Sequence, residues 1–187
     1  MQYILIGARC LLGAVFLVAA LGKVARDGAF DSFARSIQDT ALVPARFVRP
    51  AAVTVVAAEM LVCVALALPA KHAPAVGLAG ATTLLSAFTI GIALTLSRGA
   101  DAHCRCFGKS DAVLRPRHLV RNATLAGLSL TALVPTVAAP SSTGEVHPAG
   151  AVVAMTAGLV GSALTVRLDD ILDLFVTDST APSLAQR

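Results

Sequence analysis

Long apolar runs separated by short polar stretches dominate the chain. An α-helix needs about 20 apolar residues to cross the ~30 Å hydrocarbon core of a bilayer, and five segments approach that length. They run from Tyr3 to Val24, Ala51 to Leu68, Pro74 to Leu96, His118 to Ala139 and Pro148 to Val166. Pro50 directly precedes the second segment and suits a helix start, where the absent N–H would have had no partner anyway. Only Pro69-Ala70-Lys71-His72-Ala73 separates the second segment from the third, a link short enough to predict an antiparallel hairpin. The fifth segment is rich in Gly and Ala and barely long enough, so a half-buried or re-entrant helix is its alternative. The expected fold is all-α: a polytopic membrane helix bundle with a four-helix core and a fifth transmembrane helix. A boundary near residue 140 would divide the membrane bundle (1–140) from an additional C-terminal helix and tail (141–187).

Between the first two segments the pattern changes to that of an amphipathic helix, from Asp27 to Asp39. Phe30, Phe33, Ala34 and Ile37 fall at i, i+3, i+4 and i+7 and share a face, while Asp31, Arg35 and Gln38 occupy others. Such a helix either lies in the membrane interface or folds over the bundle as a lid. Small residues recur in the apolar runs, as in Gly77-Leu78-Ala79-Gly80-Ala81 and Gly158-Leu159-Val160-Gly161-Ser162-Ala163. They let helices approach closely where lipid gives no hydrophobic drive for association. The stretch after Val166 carries Asp169, Asp170, Asp173 and Asp178 and reads as an amphipathic extension followed by a disordered end.

Composition supports the bilayer reading. Hydrophobic residues are 56% of the 187 and charged residues only 14%, against roughly 25% charged in a globular domain. The net charge of +4 does not point to nucleic acid, because the cations sit between apolar segments, where they anchor a protein in a bilayer. No Lys or Arg precedes Arg9, so a basic n-region is missing and the first apolar run is read as a retained helix. Cations cluster in two loops. Lys23, Arg26, Arg35, Arg46 and Arg49 flank the first, and Arg98, Arg105, Lys109, Arg115 and Arg117 the third. The positive-inside rule would place both in the cytoplasm.

The strongest chemical feature lies in the third loop: His103-Cys104-Arg105-Cys106-Phe107-Gly108, followed by Arg117-His118-Leu119-Val120-Arg121-Asn122. Two cysteines one residue apart can close a small, strained disulfide ring, and strained bonds are more easily reduced. Arg105, Lys109 and the N-terminus of the fourth helix would favour thiolate. His118 and Arg121 or Asn122, at i+3 and i+4, share a helix face. A permanent structural disulfide or a pair of inert thiols is the alternative. A metal site built from His103, Cys104, Cys106 and His118 is another, although the spacing departs from that of structural zinc sites. A cycling pair prefers an oxidising compartment, which conflicts with the charge bias. Glu59 stands within the second apolar run, where a carboxylate requires a partner or a task. Counting ~1.5 Å per residue puts Glu59 ~13 Å from the Leu68 end and Arg9 ~9 Å from the same face. That count predicts an Arg9–Glu59 pair, either fixing the helices together or relaying protons. Cys10 and Cys63 fall near the opposite face and read as small apolar core residues. The glycosylation-like Asn122-Ala123-Thr124 opens a helix and is discounted.

At these residues the chain resembles the MauE group of methylamine-utilisation membrane proteins, within a wider DoxX-like set. The likeness rests on Arg9 with Gly13 and Phe16, Gly22-Lys23 closing helix one, and Glu59. It continues with Arg98-Gly99 ahead of Cys104-Arg105-Cys106-Phe107-Gly108, and ends with Arg121-Asn122. It covers roughly residues 5 to 135, so the fifth helix looks like an addition. The resemblance implies a multi-pass redox protein of the bacterial cytoplasmic (inner) membrane. It would assist disulfide formation or maturation of an exported protein, in MauE the disulfide-rich small subunit of methylamine dehydrogenase. An exported client or a thioredoxin-like protein would then be the partner, besides the bilayer. The layout is similar to that of vitamin K epoxide reductase, an analogy of fold alone, which implies a quinone electron acceptor and periplasmic cysteines. In this reading Cys104 and Cys106 carry the exchange, supported by His118, Arg121 and Asn122, while Arg9, Lys23 and Glu59 are structural or proton-linked. The competing class is a non-catalytic assembly, metal-handling or transporter-like subunit.

Overall fold

The computed structural model describes residues 2–98, 116–138 and 147–177, with side chains described as far as residue 167. The described residues form six helices and no strand: α1 (Gln2–Val24), α2 (Ala29–Asp39), α3 (Ala45–Ala67), α4 (Ala73–Ser97), α5 (Pro116–Ala138) and α6 (Pro148–Thr177). α1 packs on α3, α3 on α4, α4 on α5, and α5 closes the ring on α1. This is the four-helix core. α2 lies across one end, on α1 and α3, and α6 packs on α1.

The outer surface is apolar, and polar side chains lie within an otherwise apolar interior. Val53, Leu61, Val76, Ile90, Val134 and Val153 are all exposed, while the buried set includes Lys23, Glu59, Arg121 and Asn122. Polar-in and apolar-out is the arrangement that lipid imposes. Among the described residues four helical stretches are long and apolar enough to cross a membrane: α1, α3, α4 and Pro148–Arg167 of α6. At 23 residues, α1 and α3 each rise about 34 Å, enough for the hydrocarbon core. α5 has the same length but opens with Arg117, His118, Arg121 and Asn122. It reaches its place in the ring by turning His118, Arg121 and Asn122 inward. Its buried positions, His118, Arg121, Asn122, Leu125, Ser129 and Ala132, form one stripe at helical spacing.

α3 begins at Ala45, capped by Pro44, and holds Pro50 inside the helix, where the spacing had suggested a start at Ala51. Pro50 forgoes one backbone hydrogen bond. The early turn is held instead by Val48 and Ala52, which pack against Phe33 and Ala34 of α2. That contact is the apolar face expected from Phe30, Phe33, Ala34 and Ile37, and it makes α2 a cover on the bundle rather than a free interfacial helix.

α6, which holds one of the four candidate spans, runs parallel to α1, and its fit depends on glycine. A Cβ at Gly158 would stand 2.4 Å from the Gly7 carbonyl oxygen and 3.0 Å from Cys10 Cβ. Gly150 abuts the Tyr3 ring, whose hydroxyl accepts a hydrogen bond from the His147 amide at 3.1 Å. Backbones this close gain dispersion contacts that larger side chains would forbid.

Candidate functional site: a buried polar layer at the α2 end

Lys23 closes the buried stripe of α1, which runs through Ala8, Leu12, Val15, Phe16, Ala19 and Ala20. Its side chain turns back along the helix, as long helical side chains do. Nζ donates to the Ala19 carbonyl oxygen at 3.2 Å and to both carboxylate oxygens of Glu59, at 2.8 and 3.0 Å. Both residues are almost wholly buried. Phe33 of α2 lies over Lys23, its ring centroid 5.0 Å from Nζ, a distance at which the ring face attracts a cation.

The expected Arg9–Glu59 pair is therefore not formed. Arg9 donates from Nε and Nη2 to the Leu66 carbonyl at 3.1 and 2.6 Å, and from Nη2 to the Leu68 carbonyl at 3.1 Å. These are carbonyls that the end of α3 leaves without helical partners, at the negative end of its dipole. Depth counted along the backbones missed this, because it ignored how far a lysine reaches. The sequence did carry a usable signal, since Lys23 and Glu59 each continue the buried stripe of their own helix, whereas Arg9 lies beside one.

Asn122 joins the same layer. Gly77 packs against Leu66 of α3, and the Ser129 hydroxyl donates to the neighbouring Leu78 carbonyl at 2.9 Å. Glu59 lies seven residues before Leu66, and Asn122 seven before Ser129. Both are thus about 10 Å from that common level toward the α2 end. Asn122 is 1% exposed, and its Oδ1 has no hydrogen-bond partner among the described residues. His118 and Arg121 are buried on the same face, up to one turn closer to the α2 end. Thr95, near the end of α4, is also buried and donates to Gly91 O.

The structure thus brings Lys23, Glu59 and Asn122 to one level, about 10 Å to the α2 side of the contacts Gly77 makes with Leu66 and Ser129 with Leu78. His118 and Arg121 lie nearer α2, and Arg9 is left toward the other end. Cys104, Cys106 and His103 lie outside the described residues, between Arg98, which follows α4, and Pro116, which opens α5. Both anchor points stand at the α2 end. Of the four residues proposed to bind metal, only His118 is described. Among the described residues no group of three or more His, Cys, Asp or Glu side chains is placed to hold a metal ion. Cys10 and Cys63 are unpaired and half-buried; the Cys63 thiol donates to the Gly13 carbonyl at 3.6 Å and packs against the core.

These features define a multi-pass helical membrane protein with a buried polar layer inside the bundle. The family model described as "Methylamine utilisation protein MauE" matches residues 1–135, and the chain belongs to the MauE family. Comparisons with curated proteins and with solved structures give no match. The family match takes in α1 to α4 and most of α5, and α6 lies beyond it.

Proposed function

We propose that the chain is a thiol–disulfide redox protein of the bacterial cytoplasmic membrane that assists maturation of an exported protein. The family description adds methylamine utilisation as the pathway, and the client would be a disulfide-bearing protein of that system. One observation carries the reading: α5 turns His118, Arg121 and Asn122 into the bundle where the cysteine-bearing connection enters it. A helix N-terminus with buried cationic and polar side chains lowers the cost of a thiolate. A Cys104–Cys106 disulfide would accept a client dithiol. One client thiolate attacks, a mixed disulfide forms, and the second client thiol resolves it, leaving a client disulfide and the reduced pair. Regeneration requires an acceptor for two electrons. A quinone has that capacity, and the unpartnered Asn122 Oδ1 is suited to accept a hydrogen bond from the hydroxyl of its reduced form. Residues 1–140 would perform this work, with α6 as an attached support.

Trapping tests the proposal. Cys104→Ser and Cys106→Ser chains, expressed in cells with the exported clients, are separated on non-reducing gels. One single variant is expected to accumulate an adduct that dithiothreitol releases, and the double variant none. Absence of an adduct from both, with a Cys104–Cys106 potential below about −300 mV, would identify a permanent structural bond.

A further inference from the structure

The helix whose Phe33 lies over Lys23 of the buried Lys23–Glu59 pair is poorly secured. α2 has only 11 residues, below the ~12–15 at which an isolated helix becomes even marginal in water. Its helicity therefore depends on docking. Docking rests on one apolar face, with Phe33 and Ala34 buried and Phe30 and Ile37 half-buried. The ion pair linking α2 to α3, Arg49 Nη2 to Asp31 Oδ1 at 2.9 Å, is 77% and 59% exposed, the kind that contributes least.

Both ends of α2 turn on left-handed residues. Gly28, the N-cap, has φ 75° with nothing within 4 Å of where a Cβ would stand. Glycine is there for its backbone freedom, not for space. Ala41, just past the other end, has φ 53° and is the non-glycine residue at positive φ among those described. An alanine held there is strained.

We propose that α2 is a hinged roof which swings on Gly28 and Ala41, lifting Phe33 and opening the Lys23–Glu59 pair to water. The closed form keeps the two charges neutralised against each other in a dry layer. The open form frees Glu59 and Lys23 to meet water or a small polar solute entering at the α2 end. The opening involves no cysteine, so it stands whether or not the thiol chemistry does.

The test is covalent labelling of the Glu59 carboxylate. Full-length protein in lipid nanodiscs is treated with a water-soluble carbodiimide and an amine nucleophile, and the Glu59 peptide is quantified by mass spectrometry. Wild type is expected to label slowly. Phe33→Ala should label about tenfold faster or more, since it removes the main buried anchor of the roof. Ala41→Gly should label about threefold more slowly, because glycine relieves the strain of the closed form. Cys104→Ser should label like wild type. If Phe33→Ala does not fold, Ala41→Gly decides alone. Equal or faster labelling of Ala41→Gly overturns the hinge, and no labelling of wild type over hours overturns opening as a native motion.

Discussion

A buried lysine–carboxylate pair inside a membrane protein has an asymmetric energetic signature. Removing one partner strands a charge at a cost of about 3–5 kcal/mol, while replacing both by apolar residues is often neutral or stabilising. Lys23 and Glu59 meet the condition, being buried and bonded through three hydrogen bonds to Ala19 O and the two carboxylate oxygens. Lys23→Met and Glu59→Leu are each expected to destabilise by about 3 kcal/mol, and the double variant to recover most of that loss. Denaturant unfolding in micelles, followed by circular dichroism, measures this cycle. Additive losses would show that the two side chains are not coupled. At this scale the sequence was half legible. A carboxylate within an apolar helix announced a partner, but side-chain reach decided which one. Lys23 bends back a full turn, and Arg9 is claimed by open carbonyls at the end of α3.

Elements were legible wherever hydrophobic period and length agreed, as in α1, α4 and the apolar face of α2. They were less so where tertiary contacts override a local signal. Pro50 marked a helix start, yet packing of Val48 and Ala52 under α2 carries α3 back to Ala45. The sequence reads α5 as a core span from His118 to Ala139, yet among the described residues it is not one of the four stretches apolar enough to cross a membrane. That His118 and Arg121 or Asn122 share a face was legible, and that this face turns into the bundle is seen in the structure. For α6 the doubt was over length, whereas its fixing depends on close approach to α1. A Cβ at Gly158 would stand 2.4 Å from the Gly7 carbonyl oxygen, and backbone cannot yield as a side chain does. Gly158→Val is therefore expected to push α6 off α1 at a cost of about 1–3 kcal/mol. Amide hydrogen exchange should rise across residues 148–167 and stay at wild-type levels in α3 and α4. Faster exchange throughout the bundle would mean that α6 is integral to the core.

For the whole molecule, the central question is which side of the membrane receives the α2 end. Burial removes Lys23 and Arg121 from the loop charge, since both lie inside the bundle. Arg26, Arg35, Arg46, Arg49 and Arg98 remain exposed at that end, against Lys71 and half-buried Arg9 at the other. Because acidic neighbours count little in the positive-inside rule, the Arg49–Asp31 pair does not reduce the bias. Charge alone thus draws the α2 end toward the cytoplasm. Exchange with an exported client requires the opposite, since thiol pairs are held reduced on the cytoplasmic side. The proposed chemistry commits the α2 end, with Cys104 and Cys106, to the periplasm. In intact cells given a mild impermeant reductant, a membrane-impermeant maleimide is expected to label both cysteines. Cys104→Ser/Cys106→Ser chains should lose that label, because Cys10 and Cys63 are held within α1 and α3. Labelling that needs permeabilised cells would place the pair in the cytoplasm. The charge bias would then be the true guide to topology, and the exported-client reading would fall, while the buried ion pair and its roof would stand unchanged.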